Sequence, residues 1–126
     1  MMLREIREIL SADMCTGEEH LDMRIQFGSA SDLMSDVLAF SRSGALLLTG
    51  LMNVQTIQTA FIADISAVVF VRGKRPTDEI CALAKEKRIP LLSTPYSMYE
   101  ACGRLYSKGL LSTMKPVCEG TVQEEE

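Results

Sequence analysis

Residues 67–97 read AVVFVRGKRPTDEICALAKEKRIPLLSTPYS. The run Ala67–Val71 is apolar without alternation, the pattern of a strand covered on both faces. Arg72, Gly73, Lys74 and Arg75 interrupt it as a basic turn. Pro76 and Thr77 then open a helix, where a missing proline N–H costs nothing, and Ile80, Leu83 and Ala84 fall on its inward face. IPLLST (89–94) is a second buried strand. Two buried strands joined by a helix of this length pair in parallel through a right-handed crossover.

The same unit repeats upstream. ALLLTG (45–50) is a further buried strand, and Asn53 caps a helix over 54–63 with Val54, Ile57 and Phe61 inward. SDLMSDVLAFSRSG (31–44) predicts a helix capped by Ser31 or Asp32, striped by Leu33, Met34, Val37 and Leu38, and ended by Gly44. Downstream, Ser97 and Glu100 have the spacing of a capping box, opening a helix with Met98, Ala101, Cys102 and Leu105 inward. Leu3, Ile6 and Leu10 predict a helix over 2–11. Met23, Ile25 and Phe27 alternate with Arg24 and Gln26, which predicts a strand at 23–27, with an earlier short one at 13–16. The expected fold is a small three-layer α/β domain with a mainly parallel sheet and an antiparallel extension from the N-terminal part.

At 126 residues, 47% hydrophobic and 24% charged, the chain is a single domain able to hold a core without staples. The net charge of −4 resides in the end of the chain, since the last eight residues, EGTVQEEE, hold four acids and the remainder is formally neutral. That balance excludes a general nucleic-acid binder. The domain is expected over 1–112, with 113–126 as an acidic, disordered tail. No apolar run is long enough to span a bilayer, and acids interrupt MMLREIREIL where a signal peptide is apolar, so a soluble, cytoplasmic protein is expected. Cys15, Cys81, Cys102 and Cys118 form no CxxC pair and have only His20 to assist them, so neither a metal site nor a disulfide framework is expected.

In a parallel sheet, ligands gather beyond the carboxyl ends of the strands. Three loops should meet there, at 49–53, 71–77 and 93–97, each leading into a helix N-terminus suited to an anion. The candidate ligand-binding residues are Thr49, Gly50, Asn53, Arg72, Gly73, Lys74, Arg75, Ser93, Thr94 and Tyr96. The same residue types also serve any strand-to-helix loop, and neither GxGxxG nor a Walker loop is present. Asp32 and Asp36, four apart, read either as a metal-binding or acid pair on one helix face or as a cap and a solvated position. Ser29, Ser31 and Ser35 have no evident base, so no catalytic set is expected and no cofactor is implied.

ALLLTG, AVVFVRGKRPTDEICALAKEKRIPLLST and YSMYEACGRLY, in this order and spacing, resemble the DRTGG domain and the related N-terminal domain of HPr kinase/phosphorylase. The resemblance covers about residues 1–112, although the five name-giving residues are not contiguous and survive only as LTG (48–50) and VRG (71–73). It implies a compact α/β accessory module, homodimeric and regulatory or scaffolding in role, with no kinase activity to carry over. The expected function is a stand-alone, non-enzymatic regulatory module whose expected partner is a second copy, with another protein as the alternative partner. The alternative is a sensor of a nucleotide or other phosphate-containing ligand at the three loops.

Overall fold

The computed structural model describes residues 1–114 and 116. Most of the acidic tail expected at 113–126, and Cys118, lie outside the described residues. Among the described residues, no helix is long and apolar enough to cross a membrane. The elements in chain order are α1 (Leu3–Ile9), β1 (Asp13–Thr16), β2 (Phe27–Ala30), α2 (Met34–Phe40), β3 (Ala45–Thr49), α3 (Val54–Ile62), β4 (Ala67–Phe70), α4 (Asp78–Lys87), β5 (Leu91–Ser93) and α5 (Met98–Ser107).

The sheet order is β1-β5-β4-β3-β2. β2, β3, β4 and β5 are parallel, and β1 is antiparallel to β5 at the far edge. Every residue of β3 and β4 is buried, as unbroken apolar runs require. Their side chains divide with a period of two. Ala45, Leu47, Val68 and Phe70 pack with α2, α3 and α4, whereas Leu46, Leu48, Ala67 and Val69 pack with α1 and α5. The expected three-layer α/β arrangement is therefore present.

The caps follow local chemistry. Asn53 accepts from the Thr56 amide at 2.9 Å, Thr77 from Ile80 at 3.3 Å and Ser97 from Glu100 at 3.2 Å. The box at Ser97 is only half formed, because the Glu100 carboxylate accepts instead from Arg104 Nε at 2.8 Å.

Five expectations need correction. The strand expected at 23–27 lies at Phe27–Ala30. Ile25 is buried, but its amide donates to Met1 O at 2.7 Å, so the alternation at 23–25 reflects pairing with the N-terminus and not with the sheet. FGSA is a partly exposed strand without a hydrophobic pattern to reveal it. The helix expected from Ser31 or Asp32 starts at Met34, with Leu33 in extended backbone. The Ser31 hydroxyl accepts from the Leu33 amide in a local turn, and Asp32 is engaged elsewhere. This helix ends at Ser41, not Gly44, which has φ 87° in the turn into β3. Leu33 and Leu38 are exposed, so only Met34 and Val37 of the expected stripe are buried. In α3, Phe61 points out under Lys87 Nζ, 4.5 Å from the ring centroid, and Thr56, Ile57, Thr59 and Ala60 face inward.

The chain after α5 turns back along β2. Gly28 pairs in parallel with Ser112, the Gly28 amide donates to Leu111 O at 2.8 Å, and Thr113 is buried. This contact covers the otherwise open edge of β2.

Phe70 is wholly buried between helices and sheet. Phe70→Ala is expected to lower unfolding stability by about 3–5 kcal/mol in urea titration. Gly17 has φ 87°, and a Cβ there would lie 2.7 Å from Pro90 Cα. Gly17→Ala is accordingly expected to cost ~1–3 kcal/mol in the same assay.

Candidate functional site

The carboxyl ends of the four parallel strands open on one side of the sheet, and the antiparallel β1 brings Ser11 and Asp13 to that side. The loop after β4 leads to α4 on one face. The loop after β5 leads to α5 on the other. Divergence of adjacent loops is what opens a crevice in α/β sheets. Here it is tied shut. The Arg72 amide donates to Tyr96 O at 2.8 Å, the Gly73 amide to Thr94 O at 2.8 Å, and the Ser93 hydroxyl to Lys74 O at 2.7 Å.

Several of the expected ligand groups are spent in this way. The buried Thr94 hydroxyl donates to Leu10 O at 2.6 Å, fastening the end of α1 to the end of β5. The Tyr96 hydroxyl lies 3.4 Å from Ser11 Oγ, and its ring stacks under Arg104 at 4.0 Å. Arg75 pairs with Asp13 on β1. Thr94 and Tyr96 thus form a strut to the N-terminal segment, and Arg75 is drawn away from Arg72.

Thr49, Gly50, Arg72 and Lys74 do come together, around a residue read only as a cap or a helix-face acid. The Asp32 carboxylate accepts from the Gly50 amide at 2.7 Å and from the Thr49 hydroxyl at 2.9 Å. Lys74 Nζ donates to Gly50 O at 2.8 Å. The Arg72 guanidinium lies over Gly50, with Nη2 3.2 Å from where a Cβ would stand. A side chain at position 50 would push the guanidinium aside by a few tenths of an ångström. Arg72 itself holds φ 58°, followed by Gly73 at 70°, and the left-handed region is costly for any residue that carries a Cβ, as Arg72 does. Its guanidinium makes no hydrogen bond or ion pair among the described residues. Asn53 stands at the start of α3 as a helix cap, also within reach of the Thr56 hydroxyl at 3.1 Å.

The Gly50 amide above all, then the Thr49 hydroxyl and the Arg72 and Lys74 charges, hold the Asp32 carboxyl below the usual carboxylate range, against an opposing contribution from burial. The protein's own carboxylate therefore occupies the position an anion would take at the end of β3. Sequence reasoning missed this role because it comes from a loop seventeen residues before Thr49. The cue is an acid two residues after a strand, and the alternation at 23–27 predicts that strand too early in the chain.

Two clefts of about 270 and 210 Å³ flank the end of β2. Ser29, Ala30 and Ser112 border both, and neither reaches Arg72 or Lys74. Cys15, Cys81 and Cys102 are free thiols, and burial pushes all three up, away from the reactive thiolate. Among the described residues, no group of three or more His, Cys, Asp or Glu could hold a metal ion.

A carboxyl depressed in the folded state contributes stability above its unfolded value, near pH 4, and loses it as pH falls through the folded value. Asp32→Asn keeps an acceptor for Gly50 but removes the charge. It is expected to lower stability slightly at pH 7 and to flatten the acid limb of thermal melts recorded from pH 7 to pH 2.

The family model of the DRTGG domain matches residues 5–107. No curated protein matches the chain. Among solved structures, the chain is similar to the CBS and DRTGG domains of the regulatory region of Clostridium perfringens pyrophosphatase, complexed with the activator diadenosine tetraphosphate. The TM-score is 0.65 at 19% identity, over 90% of this chain and 47% of that one. This chain thus spans about half the length of its structural neighbour, and the likeness is one of fold. With the family model running from α1 to the last turn of α5, the chain belongs to the DRTGG domain family.

Proposed function

We propose that this domain is a non-enzymatic regulatory module that acts as a homodimer. The observation that carries this reading is the use of polar groups at the carboxyl edge of the sheet. Thr49, Ser93 and Thr94 each give their hydroxyl to the protein itself, and the crevice between the β4 and β5 loops is stitched closed. Groups so committed hold a shape; they are not poised to transfer a proton or attack a substrate. The regulatory character of the solved DRTGG neighbour agrees with this reading. Sedimentation of the purified chain at micromolar concentration is expected to give twice the monomer mass. Turnover of a substrate lost on mutation of Asp32 or Arg72 would overturn the non-enzymatic reading.

A second reading rests on Arg72. A guanidinium over a glycine, without a partner among the described residues and beside the start of α3, suits a phosphate group. The structural neighbour's activator is a nucleotide, which supports the same ligand class here. Such a phosphate competes with the Asp32 carboxylate for the Gly50 amide. A thermal-shift series against ATP, AMP, diadenosine tetraphosphate and inorganic phosphate tests it. A ligand at a hundred times its dissociation constant adds about 2.7 kcal/mol, a rise of several degrees in a domain of this size. Arg72→Glu is expected to abolish that rise. Asp32→Asn is expected to enlarge it at subsaturating ligand, since the internal competitor has lost its charge. A shift unchanged by both variants places the ligand elsewhere.

A further inference from the structure

We infer that the outer face of α5 is the surface on which a second copy of the chain docks, with the two α5 helices antiparallel across a two-fold axis at Cys102–Gly103. This inference rests on the homodimeric reading above and assigns it a face.

The inner side of α5, at Ala101 and Leu105, is buried on the sheet. The opposite side carries Tyr99, 91% exposed, and Tyr106, 64% exposed, with Cys102 and Gly103 between them along a shallow groove. Large aromatic side chains left in water on both sides of a small centre are unusual for a monomer surface.

Gly103 is the second observation. A glycine in a helix interior costs about 1 kcal/mol relative to alanine. Among the described residues nothing requires it. Its backbone is ordinary helix, and a Cβ there would meet nothing within 4 Å. A backbone approaching from outside does require it, because a crossing helix comes closest where no side chain intervenes.

The stripe also identifies its partner. Read along the exposed face, the order is Tyr, Cys, Gly, Tyr at 99, 102, 103 and 106, which is the same large–small–small–large pattern in either direction. An antiparallel copy sets Tyr99 against the partner's Tyr106 and Cys102 against the partner's Gly103. In such an isologous pair every contact occurs twice. Glu100 and Arg104 border the groove on one flank. Glu100 and Arg104 already pair with each other within α5 at 2.8 Å. Antiparallel helices bring like flanks together, so the two internal pairs meet as a four-charge cluster in which Glu100 of one copy faces Arg104 of the other, and the reverse. A parallel copy brings no such match. One helix face falls short of the roughly 800 Å² per partner of a stable dimer. The end of α1 at Glu8 and Ile9 borders the same face on one side and would have to extend the contact.

The test is sedimentation equilibrium of the full chain and three variants, each checked for fold by circular dichroism melting. A Cβ at position 103 meets nothing within 4 Å among the described residues, so the melt of Gly103→Glu is expected to stay cooperative. At the axis it buries two like charges, and it is expected to weaken the dimer about a hundredfold or more. Glu100→Arg places like charges across the flank and weakens the dimer about threefold or more. Glu100→Arg combined with Arg104→Glu restores it. A dimer unaffected by Gly103→Glu overturns this face while leaving the homodimeric reading in place. A double reversal that does not restore the dimer overturns the antiparallel pairing. A wild-type chain at monomer mass overturns both.

Discussion

Leu46, Leu47 and Leu48 are consecutive and all buried, and so are Ala67 to Phe70 beside them. Successive side chains of a strand point to opposite faces, so such runs need apolar cover above and below. That demand sets the rest of the domain. α2, α3 and α4 cover one face through three successive crossovers, which take the chain across the sheet from β2 to β5. The other face is left to the two ends of the domain, α1 and α5. The N-terminal helix is therefore not an appendage. Leu3, Ile6 and Leu10 are fully buried on the sheet, and the Thr94 hydroxyl fastens the Leu10 carbonyl to the end of β5.

Fastening the first helix has consequences at the edge where a ligand would bind. Three loops rich in hydroxyls and glycines reach the carboxyl ends of the strands, but most of their donors have partners before any ligand arrives. The economy is that of a small domain. With few residues available, buried loop carbonyls such as Leu10 O and Lys74 O are satisfied by the very side chains that could have gripped an anion. Asp32 extends the same logic to charge. It neutralises part of the field of Arg72 and Lys74 and saturates the Gly50 amide. Arg72 is the exception, since its unfavourable left-handed backbone holds a guanidinium over Gly50 without a partner among the described residues. Strain that buys no internal contact for the side chain is a feature of functional positions.

A comparable imbalance marks α5. Its inner face is ordinary packing, while its outer face combines exposed tyrosines with a glycine that weakens the helix and relieves no contact. The two imbalances lie on different sides of the domain, Arg72 at the carboxyl edge of the sheet and Gly103 on the outer helical layer. They are bridged by Tyr96, whose carbonyl accepts from the Arg72 amide and whose ring stacks against Arg104 of α5. A ligand at Arg72 and a partner on α5 would thus bear on the same short loop.

The sequence by itself determined the layer architecture, because unbroken apolar runs at 45–49, 67–71 and 89–92, separated by capped helical patterns, have one economical arrangement. It also determined the caps at Asn53, Thr77 and Ser97, which are local hydrogen bonds set by residues three apart. Only the tertiary structure decided the position of β2, since a partly exposed strand reading FGSA has no periodic burial to announce it. It alone revealed the return of residues 111–113 to the β2 edge, which is specified by backbone pairing and not by side-chain pattern. The candidate site divided along the same line. That Thr49, Gly50, Arg72 and Lys74 would meet followed from parallel topology. That Asp32 would bind among them, that Arg75 would turn to Asp13, and that Ser93 and Thr94 would be consumed by carbonyls did not, because hydrogen-bond partners distant in sequence are chosen by the packing that brings them together.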